Sequence, residues 1–384
     1  MSSDFPLFRL PSIVLNHGLK LMAPFEILCL SLCSKRCKTV CQSLRNQLKC
    51  KEKAVKFQLK FSKKREIRLE FNYYPSTRWI FELDYSVSTT PTIQRKSSDK
   101  HEFLEAKFAV RIPNWNPTET DHNTAEEKRL KFYVPMEYGC FGFRTFVNHL
   151  SYIFNITLTD LELHFQDFTR DENAIIIDLY CRNWRNTNYV KALILVGDSE
   201  NTPDDDEVVY HIVNRQEAKS ELTLDIQGFT FDISRCRYSP NQLVIRNPNW
   251  VGCTDIENFN SFSVLIFSAH SIMWLLNMAY LIEMWCFGWT PKWTVMMIEF
   301  LSLDIDDCIN GLRERISAGV VKIRSEETIE GPDGLSHRIK YSFRRGDGTI
   351  GEFLVENNKY LYIKARENTD ISLSTFISLT KSMM

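Results

Sequence analysis

FPLFRLPSIVLNHGLKLMAPFEILCLSLCSKRCKTVCQSL, residues 5–44, is the stretch whose reading decides the rest of the chain. After Leu10-Pro11 it places apolar residues at Val14, Leu15, Leu19 and Met22. A second apolar run (Ile27, Leu28, Leu30, Leu32) follows Pro24, and Lys35-Arg36 closes it. Spacings of three and four line such residues along one side of a helix. Pro11 and Pro24 suit first-turn positions, so the pattern predicts three short helices rather than one long one. So short a segment cannot bury this many apolar side chains alone, and the surplus must meet another surface.

The stretch resembles an F-box. The Leu-Pro start, the aliphatic pairs, the Pro-x-acidic-aliphatic step and the basic end of that family match Leu10-Pro11, Val14-Leu15, Leu19, Pro24 to Ile27 and Lys35-Arg36 without a gap. Ile13, Gly18 and Cys37 depart from the pattern, standing where an acidic residue, a branched aliphatic and a Trp are common. The departures look like those of the divergent F-boxes in large nematode families. The resemblance implies docking onto a Skp-type adaptor and, through it, onto the cullin of an SCF-type ubiquitin ligase. The adaptor-binding residues it implies are Leu10, Pro11, Val14, Leu15, Leu19, Met22, Pro24, Ile27 and Leu28. The alternative for the same text is a helical cap packed on its own domain.

A chain of 384 residues suggests more than one core, and 44% hydrophobic with 25% charged residues describes a folded soluble protein. A net charge of −1 gives no global electrostatic case for nucleic acid or an anionic membrane. No basic segment leads into an uninterrupted apolar one at the N-terminus, so no signal peptide is expected. The eleven cysteines then read as reduced thiols of a cytoplasmic or nuclear protein, and the sequon at Asn155 as meaningless.

Period-two alternation predicts strands at Val55–Phe61, Ile67–Phe71 and Trp79–Tyr85, with Pro75-Ser76 as a turn. Residues 86–101 and 113–131 read as polar loops. Beyond them strands (161–165, 191–196, 221–229, 243–246, 262–267) alternate with helix candidates at 172–184 and 204–214. Strand starts recur at roughly 20 to 32 residues, within the range of leucine-rich and similar α/β repeats. The fold class expected is therefore α+β. A short helical F-box (4–48) precedes a β-rich part (49–135), an α/β leucine-rich-repeat-like irregular solenoid (136–320) and antiparallel C-terminal hairpins (321–384). The EIRLEF strand, LVIRNPNWVG, the Phe259–Phe267 strand and the FRRGDGTIG turn, in this order behind an F-box-like start, resemble the type 2 F-box-associated domain of nematode proteins. That domain is inferred to select the ubiquitylation substrate.

Motifs with chemical meaning resolve to structural readings. Cys29, Cys33, Cys37 and Cys41 recur every fourth residue, and a straight helix would spread them over about 18 Å, too far to share one zinc ion. Gly346 to Gly351 spells GxGxxG, but alternation on both sides makes it a hairpin with an Asp-Gly turn. Arg345-Gly346-Asp347 is a chance tripeptide. The acidic runs Asp204–Glu207 and Asp304, Asp306, Asp307 precede helical text and suit N-terminal capping. The lysines between Lys51 and Lys63 read as a solvated strand face. Ser261 to Ile282 is uncharged and long enough to span a bilayer, but Ser268, His270, Ser271 and Asn277 favour a strand, a turn and a buried helix. Trp274, Trp285, Trp289 and Trp293 read as packing residues, with any exposed subset a recognition surface. No catalytic signature, cofactor or metal is expected, and the partners expected are the adaptor, the cullin and an unidentified protein substrate. The rivals are a scaffold independent of ubiquitin ligases, a hydrolase or transferase within the α/β region, and a membrane-associated protein.

Overall fold

Alternation of Phe57, Leu59 and Phe61 with Lys56, Gln58 and Lys60 makes a strand with one apolar and one polar face, and the next two strands repeat the device. The computed structural model describes residues 11–46, 54–71, 74–84, 109–111, 126–133, 139–182, 189–228, 230, 239–269, 280–300, 322–331, 334–345, 347–365 and 372–381. Helices and strands are both abundant, and the chain forms two compact units: 1–163 with 175–190, and 164–174 with 191–384.

The first unit begins with α1 (Ser12–Lys20), α2 (Pro24–Cys33) and α3 (Lys35–Asn46). Pro11 stands at the N-cap of α1 and Pro24 opens α2, as the spacing predicts. Ala23 has no side-chain acceptor, so only half of a capping box exists at α2: Glu26 accepts from the Ala23 N–H at 2.7 Å. The strands β1 (Ala54–Phe61), β2 (Arg65–Phe71), β3 (Tyr74–Asp84), β4 (Ala109–Arg111) and β5 (Glu126–Tyr133) follow, then α4 (Gly139–Phe154) and β6 (Asp160–His164). Their order across the sheet is β6-β1-β2-β3-β5-β4. The pairs β1–β2, β2–β3 and β4–β5 are antiparallel, while β6–β1 and β3–β5 are parallel.

The apolar face of this sheet is aromatic. Phe61, Phe71 and Phe81 meet Phe143, Phe154 and Phe146 of α4, and Phe25 of α2 stands edge-on to Trp79 at 4.7 Å and to Phe81 at 5.1 Å. Such pairs are worth about 0.5–1.5 kcal/mol each beyond the area they bury. The opposite face carries a charge ladder: Lys60–Glu162 at 2.6 Å, Arg68–Glu66 at 2.9 Å and Arg129–Glu66 at 2.8 Å. Register sets Glu66 opposite Glu82, and Arg129 reaches both carboxylates. Burial alone would raise the Glu66 pKa, but hydrogen bonds from Arg129 and Arg68 outweigh it and hold the carboxyl below its ordinary value. Lys56 and Lys60, expected on a solvated face, are instead half-buried and paired with Asp160 and Glu162.

In the second unit β7 (Ala192–Glu200), β8 (Glu221–Gln227), β9 (Gln242–Arg246), β10 (Ser263–Ala269) and β11 (Val295–Phe300) are all parallel neighbours. Parallel neighbours need crossovers. These carry α6 (Pro203–Arg215) after β7, α7 (Cys253–Asn258) after β9 and a helical run at 280–286 before β11. The helix preceding β7 is α5 (Arg170–Tyr180), whose residues divide between the two units. An antiparallel meander continues the sheet in the order β11-β15-β14-β13-β12, where β12 is Lys322–Gly331, β13 Gly334–Arg344, β14 Ile350–Glu356 and β15 Tyr360–Lys364. Asn357 and Asn358, both at positive φ, turn β14 into β15 through a three-residue loop in which the Lys359 N–H donates to the Glu356 carbonyl at 3.0 Å. The helix α8 (Leu373–Lys381) lays Leu373, Phe376 and Ile377 on a core of Leu265, Val295, Met297 and Tyr362.

Three further expectations are corrected. Pro75-Ser76 is no turn but lies within β3, where the register shifts between Glu70 and Phe71; a bulge suits a residue without an N–H. Residues 126–131, read as loop, belong to β5, whose charged side chains answer the charges of β3. The helix expected to reach Trp184 ends at Tyr180. The loop at 86–101, the acidic run at 304–307 and Trp274 lie outside the described residues.

Candidate functional site

The N-terminal helices divide their apolar residues between two directions. Leu19, Pro24, Ile27 and Leu28 are buried within the unit, with Cys37 and Cys41 beside them. Pro11, Ile13, Val14 and Leu21 face outward, Ile13 being 81%, Val14 51% and Leu21 75% exposed. Leu15 and Met22 are half-buried, and Leu10 lies outside the described residues. Of the expected adaptor-binding set, Leu19, Pro24, Ile27 and Leu28 are thus buried in holding the helices, while Pro11 and Val14 face outward; Ile13 and Leu21, exposed with them, lie outside that set. Gly18 is exposed in α1, and a Cβ there would meet nothing within 4 Å, so packing does not require the glycine.

The buried group is reinforced by a polar link. Ser31 Oγ donates to the Leu28 carbonyl at 2.7 Å and lies 2.8 Å from His149 Nε2 of α4. Since the hydroxyl proton is engaged, the ring is the donor in the second bond, which places a proton on Nε2. Burial, with a smaller contribution from Lys38, pushes the His149 pKa down to about 4. This link between α2 and α4 was not visible in the sequence, because His149 and Ser31 sit on helices far apart in the chain.

The remaining sequence motifs fall where structure explains them. The cysteine ladder breaks at Ser34, between α2 and α3, and no three of its thiols gather at one point. Cys33 is exposed, and its thiol lies 3.3 Å from the Cys29 carbonyl. The acidic run caps α6: Thr202 and Asp205 form a reciprocal capping box, and Asp206 accepts from Asn201 at 2.9 Å. The GxGxxG text is the β13–β14 hairpin, in which Gly348 takes φ +91° and Asp347 accepts from the Thr349 N–H. Arg345 is buried with its guanidinium over the Trp285 ring. Trp285 and Trp293 are core residues, and Trp293 Nε1 donates to the Ile256 carbonyl. With Trp289, Phe353 and Gly351 they line a small apolar hollow. Ser261 to Ile282 contains β10 and the start of the helical run at 280–286. Among the described residues no helix is long and apolar enough to cross a membrane.

No family model, curated protein or solved structure matches this chain. The candidate site therefore rests on its own residues: outward apolar side chains on α1 and at its C-cap, carried by helices of which α2 packs on the sheet through Phe25 and buries Ile27 and Leu28.

Proposed function

We propose that this protein is a non-catalytic substrate receptor of an SCF-type cullin-RING ubiquitin ligase. Its N-terminal helices dock on a Skp-type adaptor, and the α/β region, read as an irregular leucine-rich-repeat-like solenoid of the type 2 F-box-associated kind, binds a target protein. The observation that carries this reading is the exposure of Ile13, Val14 and Leu21 on helices that are otherwise well anchored. An apolar strip of that kind on a fixed support is what a partner interface requires. The contribution to ubiquitin transfer is proximity, since holding a target beside a charged conjugating enzyme raises the effective concentration of its lysines. Such a receptor works in the cytoplasm or nucleus.

Co-purification of the full chain with a Skp-type adaptor tests the proposal. Wild type binds at micromolar concentration, and Ile13→Asp with Val14→Asp abolishes binding while the fold persists. Absence of adaptor binding by the wild-type chain at that concentration rejects it. A second reading, a helical cap on a scaffold protein, is favoured by the packing of Phe25 on Trp79 and Phe81. It predicts that the same double variant changes no association.

A further inference from the structure

We propose that His164, Asp167 and Asp198 form a binding site for a divalent transition-metal ion. His164 closes β6, Asp167 ends the 3-10 turn Phe165–Asp167 that follows it, and Asp198 lies near the end of β7. One nitrogen of the imidazole and one oxygen from each carboxylate lie within 4.8 Å of one another. Ligands that share one ion at metal–ligand distances of about 2.0–2.2 Å stand no more than roughly 4.5 Å apart, so small side-chain adjustments bring all three onto one centre. His164 Nδ1 and Asp198 Oδ2 are already 2.8 Å apart. Their side-chain exposures are 12% and 57%, which leaves the imidazole held in place and the carboxylate open to solvent.

The group is more than a pair of surface acids. An imidazole with two carboxylates is a borderline-hard donor set that suits Zn²⁺, Mn²⁺ or Fe²⁺, and three protein donors leave coordination positions for water or an anionic ligand. The backbone that carries the donors is braced from both sides. Gln166 Oε1 accepts from the Ser199 N–H at 3.0 Å and from its hydroxyl at 3.1 Å, which fixes the turn beside β7. On the inner side Asn173, fully buried, donates to the carbonyls of Phe165 and Phe168, which bracket Asp167. Asn173 Oδ1 has no hydrogen-bond partner among the described residues, so the amide holds the turn through its two N–H donors alone. These bonds restrain the backbone on both sides of Asp167 and next to Asp198, so the donors need little ordering to meet one ion. The spacing hides the triad from sequence inspection, because two ligands come from the His164-x-x-Asp167 turn and the third from a distant strand.

Cobalt(II) titration of the full chain is the discriminating experiment, since the eleven cysteines make zinc binding alone ambiguous. A nitrogen–oxygen site produces weak visible absorption without thiolate-to-metal charge transfer, and zinc displaces it. His164→Ala and Asp198→Asn each weaken cobalt binding by about tenfold or more, while His337→Ala, remote from the triad, leaves it unchanged. Circular dichroism and thermal unfolding of the apo variants match wild type, which separates lost ligation from lost fold. Thiolate bands alone, affinity unaltered in both variants, or no binding at sub-millimolar cobalt would each overturn the proposal and leave a hydrogen-bonded His–Asp pair only.

Discussion

His149 shows how one buried side chain sets a condition on the whole N-terminal region. Its ring is neutral in the folded chain and donates to Ser31, with the pKa lowered to about 4 from 6.5 by burial and by Lys38. The unfolded chain takes up a proton as pH falls through 6.5, and the folded chain does so only near 4. Stability is therefore complete above that window and declines across it, by about 3 kcal/mol for this group. Chemical denaturation at a series of pH values measures the decline. His149→Gln, which keeps a donor but does not titrate, removes most of this slope between pH 6.5 and 4. An unchanged slope in the variant would assign the effect to other groups.

At the scale of elements, the three N-terminal helices were legible because Pro11 and Pro24 mark their starts and the apolar spacing marks their faces. What the sequence could not show is which apolar residues point inward. Leu28 and Val14 are equally aliphatic, and only the position of β3 and α4 separates a core residue from a surface one. The separation is measurable. Leu28→Ala lowers stability by about 2–5 kcal/mol through the cavity it leaves, whereas Val14→Ala stays within about 0.5 kcal/mol; equilibrium unfolding distinguishes them. Helix α4 escaped sequence inspection despite Phe143, Phe146, Val147, Leu150 and Phe154 at helical spacing. Its aromatic and β-branched residues and its glycines are poor helix formers, and burial against the aromatic sheet face overrides that preference. The β13–β14 hairpin was legible for the opposite reason, since Asp347-Gly348 states its turn locally.

Across the whole molecule, alternation and run length disclosed most strands, yet not the pairing that joins a parallel set to an antiparallel meander, because pairing depends on residues far apart in sequence. The metal triad was hidden by the same distance. The chain passes between its two compact units at 163/164, 174/175 and 190/191, so no single cut yields both intact. Within the second unit α8 completes the core, and Lys381 reaches Glu356, which also accepts from Ser336 and Arg338. Phe376→Ala is expected to cost about 3–5 kcal/mol, with hydrogen-exchange protection lost first in β15 and β11; protection retained there would show that α8 is dispensable. The order of these elements also has a temporal side. Leu265, Val295 and Met297 emerge from the ribosome well before residues 373–381, so each nascent chain carries a bare apolar patch until its cover is synthesised. The core of the second unit is thus expected to close only once residues 373–381 have left the ribosome.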